Sequence, residues 1–241
     1  MAKTTSAKSS APTAPARFDG FADREARFFK ALAKNQDRGW FAAHKEEYER
    51  GWLTPMKTLL AEVRDELAPR YAHEEIAAPK VFRIHRDVRF SKDKSPYKTH
   101  IGGYLGIDGS AAGPGGAAAL YLHVAADELF ACAGQYMMDG EQLKRFRAAV
   151  VDAKHGKTLT AILKPLTRAG FTIGSRDQLQ RVPRGYDPEH PQADLLRRKG
   201  LMIAFPPAER TLLTSRKLVD WLANHGKKSV PLVEWLAEVT V

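Results

Sequence analysis

Seven Lys/Arg and two His stand against only two Asp in the 21 residues from Lys80 to His100, a local charge of +5 in a chain of formal net charge +10. Guanidinium and ammonium groups at this density suit an anion with several oxygens, such as phosphate or carboxylate, through charge-assisted hydrogen bonds. Arg86, Arg89, Lys92, Lys94 and Lys98, with Tyr97 among them, are the candidate anion-binding groups of the segment. His100 within it and His123 beyond it are the candidate general acid/base residues, because imidazole titrates near neutrality; Asp87 or Asp187 would orient the ring. Asp187 and Arg184 belong to a second segment, Gln180 to Pro191, whose prolines hold Arg, Tyr, Asp and His side chains on a stiff loop.

These groups converge only if the chain presents them on one surface. Alternation over Val81 to Phe90 predicts a strand with Phe82, Ile84, Val88 and Phe90 on one face and Arg83, His85, Asp87 and Arg89 on the other. Arg86 falls on the apolar side and requires a carboxylate partner or a place at the sheet's rim. Further strands are predicted over Tyr97 to Ile107, Ala118 to Ala125 and Glu128 to Gly134, with Tyr121 and His123 outward and Leu120, Leu122 and Val124 inward. Short strands in succession predict an antiparallel meander with one polar face. The alternative is that the charges are an ordinary solvated face, with lysines guarding a sheet edge.

Helical spacing surrounds the sheet. Helices are predicted over Phe21 to Lys34 with Asp23 as N-cap, after Asp37, and over Trp52 to Leu67, where Trp52, Met56, Leu59, Leu60, Val63 and Leu67 form one stripe. Asp139 with Gln142 predicts a capping box, and a helix is predicted around Leu159 to Leu166. At the C terminus two helices are predicted, one ending at Gly226 and one following Pro231. The fold class is therefore α+β, an antiparallel sheet of about four or more strands flanked by N-terminal and C-terminal amphipathic helices.

Composition narrows the classes. Residues 1–17, rich in Ala, Ser, Thr, Pro and Lys, carry +3 with no acid and read as a disordered basic tail, leaving residues 18–241 as a single domain. Tail and segment together account for +8 of the +10, so the basic balance is local rather than a uniform nucleic-acid coat. Cys132 is the single cysteine, lies in an apolar stretch, excludes an intramolecular disulfide and suits a reducing cytoplasm. No apolar run approaches membrane-spanning length, and the histidines show no metal-ligand spacing. The glycine-rich stretch from Asp108 to Gly116 lacks the Gly-Lys-Ser/Thr ending of a phosphate loop and reads as a hairpin connection.

The run from Phe82 to His100, together with Trp40-Phe41, Tyr121-Leu122-His123 and Arg181 to Asp187, resembles the signature of an uncharacterised bacterial and fungal family, domain of unknown function 2461. The resemblance covers the chain from about Phe21 to the C terminus. It implies one α+β domain and marks Arg86, Asp87, Arg89, Lys92, Asp93, Lys94, Tyr97, Lys98, Thr99, His100, His123, Arg184 and Asp187 as family-pattern positions; it implies no activity and names no cofactor. Gln135 and Tyr136 depart from the Gly-rich, Trp-containing pattern of relatives, and no role is assigned there. Two functions follow as expectations: binding of a phosphorylated or polyanionic small molecule, as an enzyme if His100 or His123 does chemistry, or a non-catalytic nucleic-acid or ribosome-associated module.

Overall fold

The computed structural model describes residues 17–89, 92–107 and 116–240. The predicted basic tail, apart from Arg17, and most of the glycine-rich connection lie outside the described residues, as do Phe90 and Ser91. The fold is α+β, built on a six-stranded antiparallel sheet in the order β1-β2-β3-β4-β6-β5. The strands are β1 (Lys80–Val81), β2 (His100–Gly106), β3 (Ala117–Ala125), β4 (Leu129–Gln135), β5 (Thr172–Gly174) and β6 (Leu201–Ala204). The predicted meander is β2-β3-β4. It forms because each strand alternates apolar residues on one side and because the Ala125–Glu128 turn is short enough to close the β3-β4 hairpin, its Ala125 N–H donating to the Glu128 carbonyl at 2.8 Å.

One face of the sheet is covered by α3 (Thr54–Leu67) and α7 (Lys217–Thr240), which pack on β2, β3 and β4. The predicted stripe on α3 is fully buried there, and Ile101, Leu105, Leu122, Val124, Ala131, Leu201 and Ile203 join the same core from the strands. Gly103 keeps this layer thin: a Cβ at that position would come 2.6 Å from Leu60 Cδ1. α1 (Arg27–Lys34) and α2 (Arg38–Tyr48) add Phe28, Phe29, Leu32 and Phe41 to the core, and α4 (Gly140–Val151) opens on the predicted Asp139–Gln142 capping box. α5 (Ala153–Arg168) and the short α6 (Ala193–Arg197) complete the fold. No helix among the described residues is long and apolar enough to cross a membrane.

Three predicted elements differ. α1 begins at Arg27, because the chain turns through Ala26 in the left-handed region at φ 49° and the Asp23 carboxylate accepts from Arg27 N–H at 3.2 Å. α7 is one helix through both Gly226 and Pro231. Its buried side, from Leu218 to Ala237, is held by α3, α4, α5 and the sheet, and this packing outweighs the local breakers; Gly226 sits where a Cβ would press to 2.9 Å from Leu67. The strand predicted over Val81 to Phe90 is two residues long. Beyond Val81 only isolated bonds tie it to its neighbour, Phe82 N–H to the Gly102 carbonyl, Lys98 N–H to Ile84 and Arg86 N–H to Pro96, so Phe82 and Ile84 part, one exposed and the other buried.

Candidate functional site

The loose hairpin of residues 82–98 pairs two of its six cations with its own two carboxylates. Arg89 makes a bidentate pair with Asp87, Nε to Oδ1 at 2.9 Å and Nη2 to Oδ2 at 2.6 Å, and this holds the Asp87 carboxyl well below its usual range. Arg86 has the partner that its position requires: Nη1 pairs with Asp93 and Nε donates to the Tyr97 carbonyl at 2.9 Å. Lys94 Nζ donates to the Val88 carbonyl at 2.9 Å, and Lys92 is exposed. Tyr97 leaves the anion-binding set altogether. It is 3% exposed, stacked on Phe41 at 4.5 Å, because its backbone bridge to His85 turns the ring into the core.

The second predicted segment does not join the first. Its loop leaves β5, at the sheet edge opposite β1 and about 24 Å away by five strand spacings. The loop is tied to α5 and α6 through Gln192 Nε2 on the Gly156 carbonyl (2.8 Å) and Leu179 N–H on the Arg197 carbonyl (2.7 Å). Arg184 is exposed there, and the Asp187 carboxylate accepts from Glu189 N–H at 2.9 Å, a local turn. Neither Asp87 nor Asp187 orients a histidine; their acceptor oxygens are engaged within their own loops.

What the fold does bring together lies on the sheet face away from α3 and α7. A cavity of about 430 Å³ opens there, walled by Phe82, Tyr104, Phe130, Tyr136 and Met202 and floored by His100, Tyr121, His123 and Cys132. This volume is in the range of small-molecule sites. The registers explain the floor: His123 stands opposite Gly102 on β2 and Phe130 on β4, so Phe130 stacks on His123 at 4.7 Å while Gly102 leaves space beside it. His100 lies diagonally across, ring centroids 4.3 Å from His123.

Both imidazoles are neutral at pH 7. Burial lowers His123, which is 8% exposed. Burial brings His100 down to about 4, helped by His123, Lys98 and Arg86 and opposed by Glu128. The cations of the hairpin thus act on the cavity floor through space. Lys98 also stands 5.5 Å over the ring of the wall residue Phe82, donates to the Arg83 carbonyl at 2.9 Å, and is itself pushed down by burial and by Arg83 and Arg86. On the opposite wall Arg176 lies 5.6 Å over Tyr136. Cys132 is no nucleophile: burial pushes its thiol up to about 12.

Residues 25–235 match the family described as a conserved hypothetical protein, DUF2461. The chain belongs to that family. The match spans the hairpin, the cavity strands and the Arg184 loop alike. No curated protein matches the chain.

Of the residues that the sequence singled out, His100 and His123 line the cavity and Lys98 stands over its Phe82 wall; Glu128, Phe130, Tyr136 and Arg176 were assigned no role from sequence. Phe130 was within reach, since a tight turn after Ala125 fixes it opposite His123. Tyr136 and Arg176 come from different strands' ends and carry no local signal of meeting.

Proposed function

We propose that the cavity binds a small molecule with a planar apolar body and at least one phosphate or carboxylate group. The observation that carries this is the pairing of aromatic walls with cations: Lys98 on Phe82 at one side and Arg176 on Tyr136 at the other, over a floor whose imidazoles are neutral. Apolar walls accept the body, and the Lys98 and Arg86 charges, which add to the lowering of His100 by burial, favour an anion. Of the anion-binding candidates, Lys98 is the central contact; Arg86 contributes at longer range, and Arg89, Lys92 and Lys94 set the approach field. The free, buried Cys132 supports a reducing cytoplasm.

Thermal unfolding with nucleotides, aryl phosphates, aromatic carboxylates and oligonucleotides tests the reading. Ligand at 100 times its Kd adds about 2.7 kcal/mol of stability, a clear rise in Tm. We expect that rise with one small aromatic anion, and its loss in Lys98→Ala and Phe82→Ala. The exposed rings of Phe82, Phe130 and Tyr136 beside a basic hairpin support a second reading, single-strand nucleic-acid binding by base stacking. A shift with oligonucleotides alone, fading steeply with salt, selects that reading and rejects the first.

A further inference from the structure

The floor of the cavity holds a hydrogen-bonded chain that binding alone does not require. His123 Nε2 lies 3.2 Å from Glu128 Oε2, and His123 Nδ1 lies 3.1 Å from the Tyr121 hydroxyl. A carboxylate only accepts, so Nε2 carries the ring proton; the Nδ1 lone pair then accepts from the Tyr121 O–H. Tyr121 Oη is left with its own lone pairs on the cavity side. Gly102 keeps the space at that oxygen clear, since a Cβ there would come 2.9 Å from the hydroxyl. Phe130 and His100 cover the two sides of the His123 ring and fix it in the plane of the chain.

Resting on the reading of the cavity as an anion site, we infer that Glu128, His123 and Tyr121 form a proton relay that hydrolyses a phosphate monoester of an aromatic alcohol, with water activated at Tyr121 Oη. Water hydrogen-bonded to that oxygen gives it a proton as its electron pair forms the bond to phosphorus. The original Tyr121 proton passes to His123 Nδ1, and the imidazolium is stabilised by the Glu128 carboxylate. The bond from phosphorus to the alcohol oxygen, opposite the entering water, breaks; that oxygen leaves as the aryloxide and takes a proton from solvent, while His123 releases its proton to solvent through Tyr121. The products are the free alcohol and inorganic phosphate, with no change of oxidation state. Tyr121 and His123 are the catalytic residues, and Glu128 is a positioning residue that fixes the tautomer.

The test uses p-nitrophenyl phosphate with the full chain. Wild type should release nitrophenol above background, and Tyr121→Phe should lower kcat by about 10²–10³-fold with KM retained. Gly102→Ala, which crowds the same hydroxyl, should lower kcat with Lys98 untouched. Glu128→Gln should lower kcat less and shift the ¹⁵N resonances of His123 from a single Nε2–H tautomer to a mixture, a signature that a purely structural role would not produce. Binding of the ester by thermal shift without turnover, or equal turnover by Tyr121→Phe of unchanged Tm, overturns the relay and leaves the binding reading standing. Absence of binding by this ester and by every other small anion overturns both.

Discussion

Two contacts made by carboxylates in this molecule differ in where they stand. Asp87 and Arg89 meet with their side chains 44% and 75% exposed, whereas His123 meets Glu128 with its own side chain only 10% exposed. In the hairpin, charge is abundant and water screens it; Arg86 and Arg89 each answer a carboxylate a few residues away. On the sheet face ionisable groups are few and partly dehydrated, so burial lowers both His100 and His123 and each neighbour counts. Density of charge therefore marks the approach to the site, and burial marks the site itself.

That contrast breaks most visibly at Tyr97, which with Ile84 ties the hairpin to the core. Tyr97→Ala should cost about 3–5 kcal/mol by urea unfolding, the usual loss for a buried aromatic. A smaller loss would mean that the hairpin is not anchored through its stack on Phe41.

A middle effect is the pH dependence of stability from the sheet face. His100 titrates near 4 when folded and near its ordinary 6.5 when unfolded, so the unfolded chain takes up the proton first as pH falls. Its contribution is intact above about 6.5 and is lost progressively as pH falls toward 4. Partial exposure to screening water limits the loss to about 1–2 kcal/mol. Urea midpoints measured between pH 7 and 4.5 should fall less steeply in His100→Asn than in wild type; parallel curves would remove His100 from the buried class.

The smallest effect is expected at the most charged contact. Arg89→Ala should leave Tm indistinguishable from wild type, because the Asp87–Arg89 pair is fully solvated. It should also leave small-anion binding nearly unchanged where Lys98→Ala abolishes it. Equal losses in the two variants would return the binding role to the hairpin as a whole.

How much of this was legible follows the range of the interactions. β2, β3 and β4 were readable because alternation and tight turns are local, and so was the α3 stripe. The Val81 to Phe90 strand was misjudged because a strand exists only where a partner supplies the ladder, and periodicity does not show the partner leaving after Val81. Gly226 and Pro231 read as breaks because propensity is local, while the burial that overrides them comes from elements distant in sequence, as where Gly226 packs on Leu67.

The sequence by itself determined the α+β class, the outward aim of Tyr121 and His123, the need of Arg86 for a carboxylate, and the family to which the chain belongs. Tertiary structure alone decided that Tyr97 is core, that the Arg184 loop starts from the far edge of the sheet, and that Tyr136 and Met202 join His100 around one cavity, with Glu128 on His123 and Arg176 over Tyr136. The physical reason is that side-chain direction follows from the two-residue period of a strand, whereas partnership and dehydration depend on which strands and loops finally lie side by side.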